Sequence, residues 1–169
     1  MDPCTQGLLG ASLSCSLAKR DKLKVAATLG AIGGMAPDLD IFIRSVNDQL
    51  LFIEYHRHFT HSLIFIPFGT LIITTLMYPF IKKKNSFRSV YYYIFIGFFT
   101  HGLLDACTSY GTSLLWPFSN YRVAWNIISI IDPIFTLTLL FFIIFSLLKK
   151  KRLYAQVGFI ISCTYLILG

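Results

Sequence analysis

No two of the four cysteines form a C-x-x-C pair; Cys4, Cys15, Cys107 and Cys163 are scattered along the 169 residues. That pattern supplies neither a disulfide framework nor a zinc ribbon, and the thiols read as free, buried side chains. Acidic residues are few, 8 against 15 Lys and Arg, giving a formal net charge of +7. Such an excess would suit nucleic acid, but its distribution argues against that partner, and none is expected. The basic residues fall in three short clusters: Lys19, Arg20, Lys22 and Lys24; Lys82, Lys83, Lys84 and Arg88; and Lys149, Lys150, Lys151 and Arg152. Each cluster lies between apolar runs, as cytoplasmic loops of a membrane protein do. A basic region at the start is missing as well, since the first Lys is Lys19. No cleavable signal peptide is therefore expected, and targeting falls to the apolar helices.

What the chain has in quantity is apolar surface: 55% of its residues are hydrophobic. Three runs, Ser62–Ile81, Val90–Cys107 and Ile127–Leu148, are long enough to cross a bilayer, which takes roughly 20 helical residues. A fourth, Leu153–Gly169, is marginal. Gly7–Ala18 and Val25–Ala36 are shorter and rich in Gly, Ala and Ser. Small residues permit close helix packing, so these two predict a tight hairpin against the bundle rather than spans. Pro37 ends the second, because proline disfavours helix at the residue before it. Ile41–Tyr55 mixes apolar and polar residues and predicts an interfacial helix. The expected fold is an all-α membrane protein, a single domain over 1–169. It comprises a helical hairpin (1–36), a polar-motif segment (37–61), a transmembrane core (62–148) and a last helix (153–169). With that last helix, the bundle has about four spans.

All four histidines fall in two polar motifs, His56-Arg57-His58-Phe59-Thr60-His61-Ser62 and His101-Gly102-Leu103-Leu104-Asp105. Pro37-Asp38-Leu39-Asp40 adds two carboxylates. Ionisable groups at membrane depth are costly and need a reason. Placing the three basic clusters in the cytoplasm puts Asp38, Asp40, His56, His58, His61, His101, Asp105 and Asp132 at one depth on the outer side. That rule takes no account of the motifs, so their convergence is a result. Trp116, Trp125, Tyr110 and Tyr121 then suit an aromatic belt on the same side.

The chemistry follows from spacing. His101 and Asp105, four apart on a helix, share a face and can grip one ion, although an isolated pair at this spacing is more often a buried hydrogen bond. Gly97, one turn earlier, leaves room for a neighbouring helix, and Thr108 lies one turn later. Asp38 and Asp40 oppose the macrodipole of the helix before them and want a cation, either Arg44 or Arg57 or a metal. Three imidazoles in six residues are the most specific signal, with His61 the best ligand and His58 on the solvent side. A pH-sensing cluster and solvated interfacial residues are the alternatives. The candidate metal ligands are Asp38, Asp40, His56, His61, His101, Asp105 and Asp132, the last also readable as a kink residue beside Pro133. Asp40, His56 and Arg57 are the candidate catalytic groups, and Arg57, Thr60 and Arg122 the candidate substrate contacts. Thr60 and Ser62 could orient ligands. Mixed imidazole and carboxylate donors suit Zn, Mn or Fe, with Zn favoured. Hydrolysis needs a coordination position left open to water.

The order of these motifs resembles the YdjM-like family of inner-membrane proteins, described as metal-dependent hydrolases. The matching pieces are Met1-Asp2-Pro3 with Thr5, the Gly-rich hairpin, Pro37-Asp38-Leu39-Asp40, His56-Arg57 with Thr60-His61-Ser62, and His101 with Asp105. Ser109-Tyr110-Gly111 before Leu115-Trp116-Pro117-Phe118, and then Asp132-Pro133, complete the match, which covers residues 1 to about 135. The resemblance implies a bacterial or archaeal inner-membrane protein with His and Asp metal ligands on helices, likened to zinc-dependent phospholipase C-type enzymes. Two positions depart from the pattern. Gln6 stands where the family often has His, and His58 where a smaller residue is common.

The expected function is hydrolysis of a phosphoester or ester, on a lipid or otherwise, at the outer face of the membrane. The lipid bilayer and a lipid or phosphoester substrate are the expected partners. The alternative is a non-catalytic membrane protein whose metal is structural or regulatory. A transporter is disfavoured, because the inner halves of Ser62–Ile81 and Ile127–Leu148 carry no ionisable residue to continue a path.

Overall fold

The computed structural model describes residues 1–43, 48 and 54–169. Six α-helices account for most of them: α1 (Pro3–Leu17), α2 (Leu23–Met35), α3 (Ile66–Ile81), α4 (Phe87–Ala106), α5 (Pro133–Lys149) and α6 (Arg152–Leu168). No strand forms among the described residues, and one isolated bridge pairs Thr112 with Val123. The expected interfacial helix over Ile41–Tyr55 lies largely outside the described residues.

Local chemistry sets the helix starts. Asp2 caps α1 by accepting the Thr5 amide at 3.0 Å, with Pro3 in the first turn. Asp132 and Pro133 repeat the device at α5, where Asp132 accepts the Phe135 amide at 2.9 Å. In both, a carboxylate takes an otherwise unpaired first-turn N–H, and proline occupies a position that needs no donor. Ser86 caps α4 in the same way. Pro37 ends the α-helical geometry of α2, but the chain then tightens into a 3₁₀ turn, Ala36–Phe42, that carries Asp38 and Asp40.

The core is built on α1, α2 and α4. These approach so closely that a methyl group on Gly97 of α4 would strike the Gly30 carbonyl of α2, and one on Gly10 of α1 would strike the same oxygen. Glycine is required there by backbone contact, the packing expected of small residues. α3 packs chiefly on α4, while α5 and α6 pair with each other and rest on α1. The Gly-rich hairpin is thus the centre of the bundle rather than an appendage.

Helix length and composition do not confirm the four expected spans. Among the described residues, the one helical stretch long and apolar enough to cross a membrane by length and composition is Arg20–Phe42, 23 residues, half of it buried. It contains α2, which the sequence reading treated as too short; the 3₁₀ turns at both ends lengthen it. Helices do form within each expected span, but α3, α5 and α6 have only 16, 17 and 17 residues. α4 has 20 residues and carries Arg88, His101 and Asp105. By length and composition among the described residues, one stretch qualifies as a span, and α3, α5 and α6 are shorter apolar helices.

The two ends of the bundle differ in charge. Lys22 Nζ donates to the Lys84 carbonyl and to Asn85, joining the first and second basic turns. Lys19, Arg20, Lys150, Lys151 and Arg152 line one shallow cavity, joining the first turn to the third. The opposite end receives the start of α1, the ends of α2 and α4, and the start of α5. The segment 107–132 folds across that end, and its backbone is stitched to neighbouring chain: Leu63 N–H donates to Leu114 and Ser113 N–H to Arg57.

Candidate metal centre

At the end opposite the basic turns, four side chains from three stretches of chain meet. Asp38 comes from the 3₁₀ turn after α2, His61 from the 3₁₀ turn Phe59–His61, and His101 and Asp105 from successive turns of α4. One donor atom from each lies within 4.8 Å of all the others. His61 Nε2 is 2.8 Å from His101 Nε2, 3.2 Å from Asp105 Oδ2 and 3.6 Å from Asp38 Oδ1. His101 Nε2 is 3.4 Å from both Asp38 Oδ1 and Asp105 Oδ2. Around a tetrahedral zinc with bonds of about 2.0 Å, neighbouring ligand atoms stand roughly 3.3 Å apart. The separations scatter about that value.

The hydrogen bonds fix which imidazole nitrogens face the centre. His101 Nδ1 lies 2.5 Å from the Gly34 carbonyl oxygen, which can only accept, so Nδ1 carries the proton. Thr60 Oγ1 donates to Asp40 Oδ2 at 3.0 Å and accepts from His61 Nδ1 at 2.9 Å. In neutral rings both Nε2 atoms then present lone pairs to one another. Two lone pairs at 2.8 Å repel unless a cation or a proton lies between them. Ring N–H groups held by a carbonyl or a carboxylate-linked hydroxyl are the usual support for metal-binding histidines.

Burial and charge point the same way. His61, His101 and Asp105 are buried, and Asp38 is partly exposed. Asp105 Oδ2 and Asp38 Oδ2 accept no hydrogen bond although they are buried. Asp105 meets the Arg57 guanidinium, whose Nε lies 3.2 Å from Oδ2, and the Met1 amino group, which contacts Oδ1, while Asp40 accepts the Arg57 backbone N–H and pairs with His56. Carboxylates gathered with two facing imidazole nitrogens in a low-dielectric setting suit a bound cation.

The remaining candidates surround the four donors. Asp40, 2% exposed, accepts from Arg57 N–H and Thr60 Oγ1 at 3.0 Å and pairs with His56 Nδ1 at 2.9 Å. It orients His61 rather than joining the four. His56 also stays outside, its ring centroid 6.2 Å from that of His61. Arg57 adopts φ +58, a left-handed conformation costly for a non-glycine residue. That turn sends its backbone N–H to Asp40 while Nη1 donates to Thr108 at 2.9 Å. Arg122 donates to the carbonyls of Glu54 and His56, and the guanidinium groups of Arg57 and Arg122 both lie over the Tyr110 ring. Burial, and next the Arg122 charge, push His58 below the ordinary imidazole range, and its half-buried ring packs on Trp116.

Asp132 is not brought to the cluster. It caps α5 and accepts from Tyr165 Oη at 2.8 Å, which accounts for both carboxylate oxygens. Gln6 takes a larger part than a lost ligand would: Nε2 donates to Asp105 Oδ1 at 2.9 Å and to the His101 carbonyl at 3.3 Å. The Gly34 carbonyl carries no side-chain signal in the sequence, and only its crowding against α1 reveals its place.

Fold and centre together define an all-helical protein with a buried imidazole–carboxylate cluster at one end. The chain belongs to the YdjM inner membrane protein family, whose model matches residues 1–169. It is also 32% identical over 101 residues to the uncharacterized protein YfhP of Bacillus subtilis (strain 168). That match covers 60% of this chain and 30% of YfhP, so the chain spans about a third of its relative. No solved structure matches it. Membership supports a location in the inner membrane, and the four-residue cluster is one that could hold a metal ion.

Proposed function

We propose that this protein is a membrane-bound metal-dependent hydrolase of phosphoesters or esters, with Asp38, His61, His101 and Asp105 holding a divalent ion, zinc in preference to manganese or iron. The observation that carries the reading is the pair of Nε2 atoms 2.8 Å apart, each imposed by a partner on the other ring nitrogen. When bound, the ion supplies Lewis acidity, polarising an ester and making water more acidic. Asp38 is the partly exposed donor and marks the side from which substrate arrives. His56, paired through Nδ1 with Asp40, is the candidate proton carrier, a role suited to a carboxylate-oriented imidazole. Arg57 and Thr60 support Asp105 and Asp40, and Arg122 borders the same face through Tyr110.

The orientation in this reading puts the cluster on the outer side and the basic turns inside. Embedding of α3, α5 and α6 beside α2 is supported by large apolar side chains left uncovered on their outer faces, among them Phe68, Leu76, Leu137, Phe141 and Ile160. Contiguous apolar surface of that extent suits lipid rather than water. Helices of 16 or 17 residues reach about 25 Å, and Lys and Arg at the inner end can snorkel to make up the remainder.

Four protein donors also favour a second reading, a structural centre, because closed tetrahedral sites stabilise rather than catalyse. One experiment separates the two. Protein purified in detergent is assayed for bound metal and for cleavage of phosphodiester and phospholipid substrates, as wild type and as His56→Ala. The hydrolase reading requires bound metal and an activity that His56→Ala removes while metal is retained. Stoichiometric metal with no cleavage of any substrate supports the structural centre. Absence of bound metal defeats both.

A further inference from the structure

A groove runs from Asp40 and Thr60, the residues that position His61, along the apolar face of the bundle. α2 and α3 each pack on α4 but scarcely on one another. Two cavities lie in the gap, of about 230 and 350 Å³, and share Ala36, Leu39 and Ile73 in their walls, so they run together. The first reaches Asp40 and Thr60, which position His61; the second ends at Leu76 and Met77. Apart from Asp40 and Thr60 the side chains of both walls are apolar. Leu39, Ile72 and Leu76 are more than half exposed, so the groove opens sideways along the surface where lipid would lie. From Phe65 to Met77 the α3 wall covers about 18 Å at the helical rise, close to the roughly 15 Å hydrocarbon depth of one leaflet.

We propose that this groove receives one hydrocarbon chain of a phospholipid from the leaflet on the cluster's side, and thereby holds the headgroup phosphoester beside Asp38 and His56. The polarity of the walls fits such an occupant: polar contacts only at the end nearest the cluster, apolar contacts below. A peptide would bring backbone donors and acceptors that these apolar walls cannot satisfy. The proposal rests on the hydrolase reading for the fate of the headgroup, but chain binding is measured without catalysis.

The test uses the full chain in vesicles containing phosphatidylglycerol with a photoactivatable diazirine midway along one acyl chain. After irradiation, labelled residues are mapped by mass spectrometry. Labelling is expected to concentrate severalfold at Leu39, Ile73 and Leu76 over Leu137 and Phe141 of α5, which are equally open to lipid. Ile72→Trp and Leu76→Trp, at exposed groove positions, are expected to suppress labelling at Leu39 and Ile73 while bound metal is unchanged. Labelling spread evenly over α3 and α5, or groove labelling unaffected by both tryptophans, overturns the proposal. Failure of the hydrolase reading looks different: the groove is labelled selectively and no phosphoester is cleaved. Failure of the groove alone leaves cleavage of a water-soluble short-chain phosphodiester intact with even labelling.

Discussion

His61 and His101, forty residues apart in the chain, turn their Nε2 atoms toward each other across 2.8 Å inside the bundle. Neither ring can rotate away without cost. His101 would surrender the buried Gly34 carbonyl and His61 would surrender the half-buried Thr60 hydroxyl. The pair is therefore a preorganised donor set, and its consequences can be measured.

His61→Ala and His101→Ala are each expected to abolish stoichiometric metal binding. Metal analysis of protein purified without added metal checks this. Retention of a full equivalent by either variant counts against the four-donor centre.

Asp40 acts through His61, so Asp40→Asn should weaken metal binding without eliminating it, by about 10–100-fold, the usual cost of losing a support to a metal-binding histidine. Gln6→Leu should fall in the same range, because it removes the donor to Asp105 Oδ1. A chelator competition titration reads both.

Metal removal should lower thermal stability, since an ion that binds only the folded state adds its binding free energy to folding. At a free metal concentration a hundred times Kd that contribution is about 2.7 kcal/mol. Thermal unfolding in detergent, with and without chelator, is expected to show a lower Tm for the stripped protein. The His61→Ala variant should not respond to added metal.

Gly97→Ala should destabilise the fold by about 1–3 kcal/mol, the range for overpacking, because the new methyl meets the Gly30 backbone. Gly7→Ala is the control. Its methyl would meet the Met35 side chain, a flexible neighbour that can move aside. Equal losses at the two sites, by thermal unfolding, would argue against the close approach of α2 and α4.

Asp132→Ala is expected to cost about 1 kcal/mol, the value of an N-cap, and to leave metal content unchanged. A loss of metal in this variant would return Asp132 to the ligand set.

Much of the centre was legible in the chain. Spacing put His101 and Asp105 on one helix face, and the basic clusters assigned the polar motifs to a common end. Composition marked α1 and α2 as a close-packed pair. Other features were not legible. Asp40 and His56 read as well as ligands as Asp38 did, because sequence gives residue types but not which way a 3₁₀ turn aims them. Asp132-Pro133 read as a motif within an apolar helix, whereas the backbone makes it a cap. The four-span count is left unconfirmed for a related reason. Hydropathy runs count apolar residues across loops, while helix length depends on where caps and prolines start and stop the hydrogen-bond ladder.

The chain by itself determined an all-helical, apolar protein with basic turns at one end and imidazoles and carboxylates at the other, because periodicity and charge placement are written residue by residue. Only the tertiary structure decided which four side chains converge. That choice depends on how closely α2 lies against α4, which the glycines permit, and on the Gly34 carbonyl and Thr60 hydroxyl, which turn both rings inward.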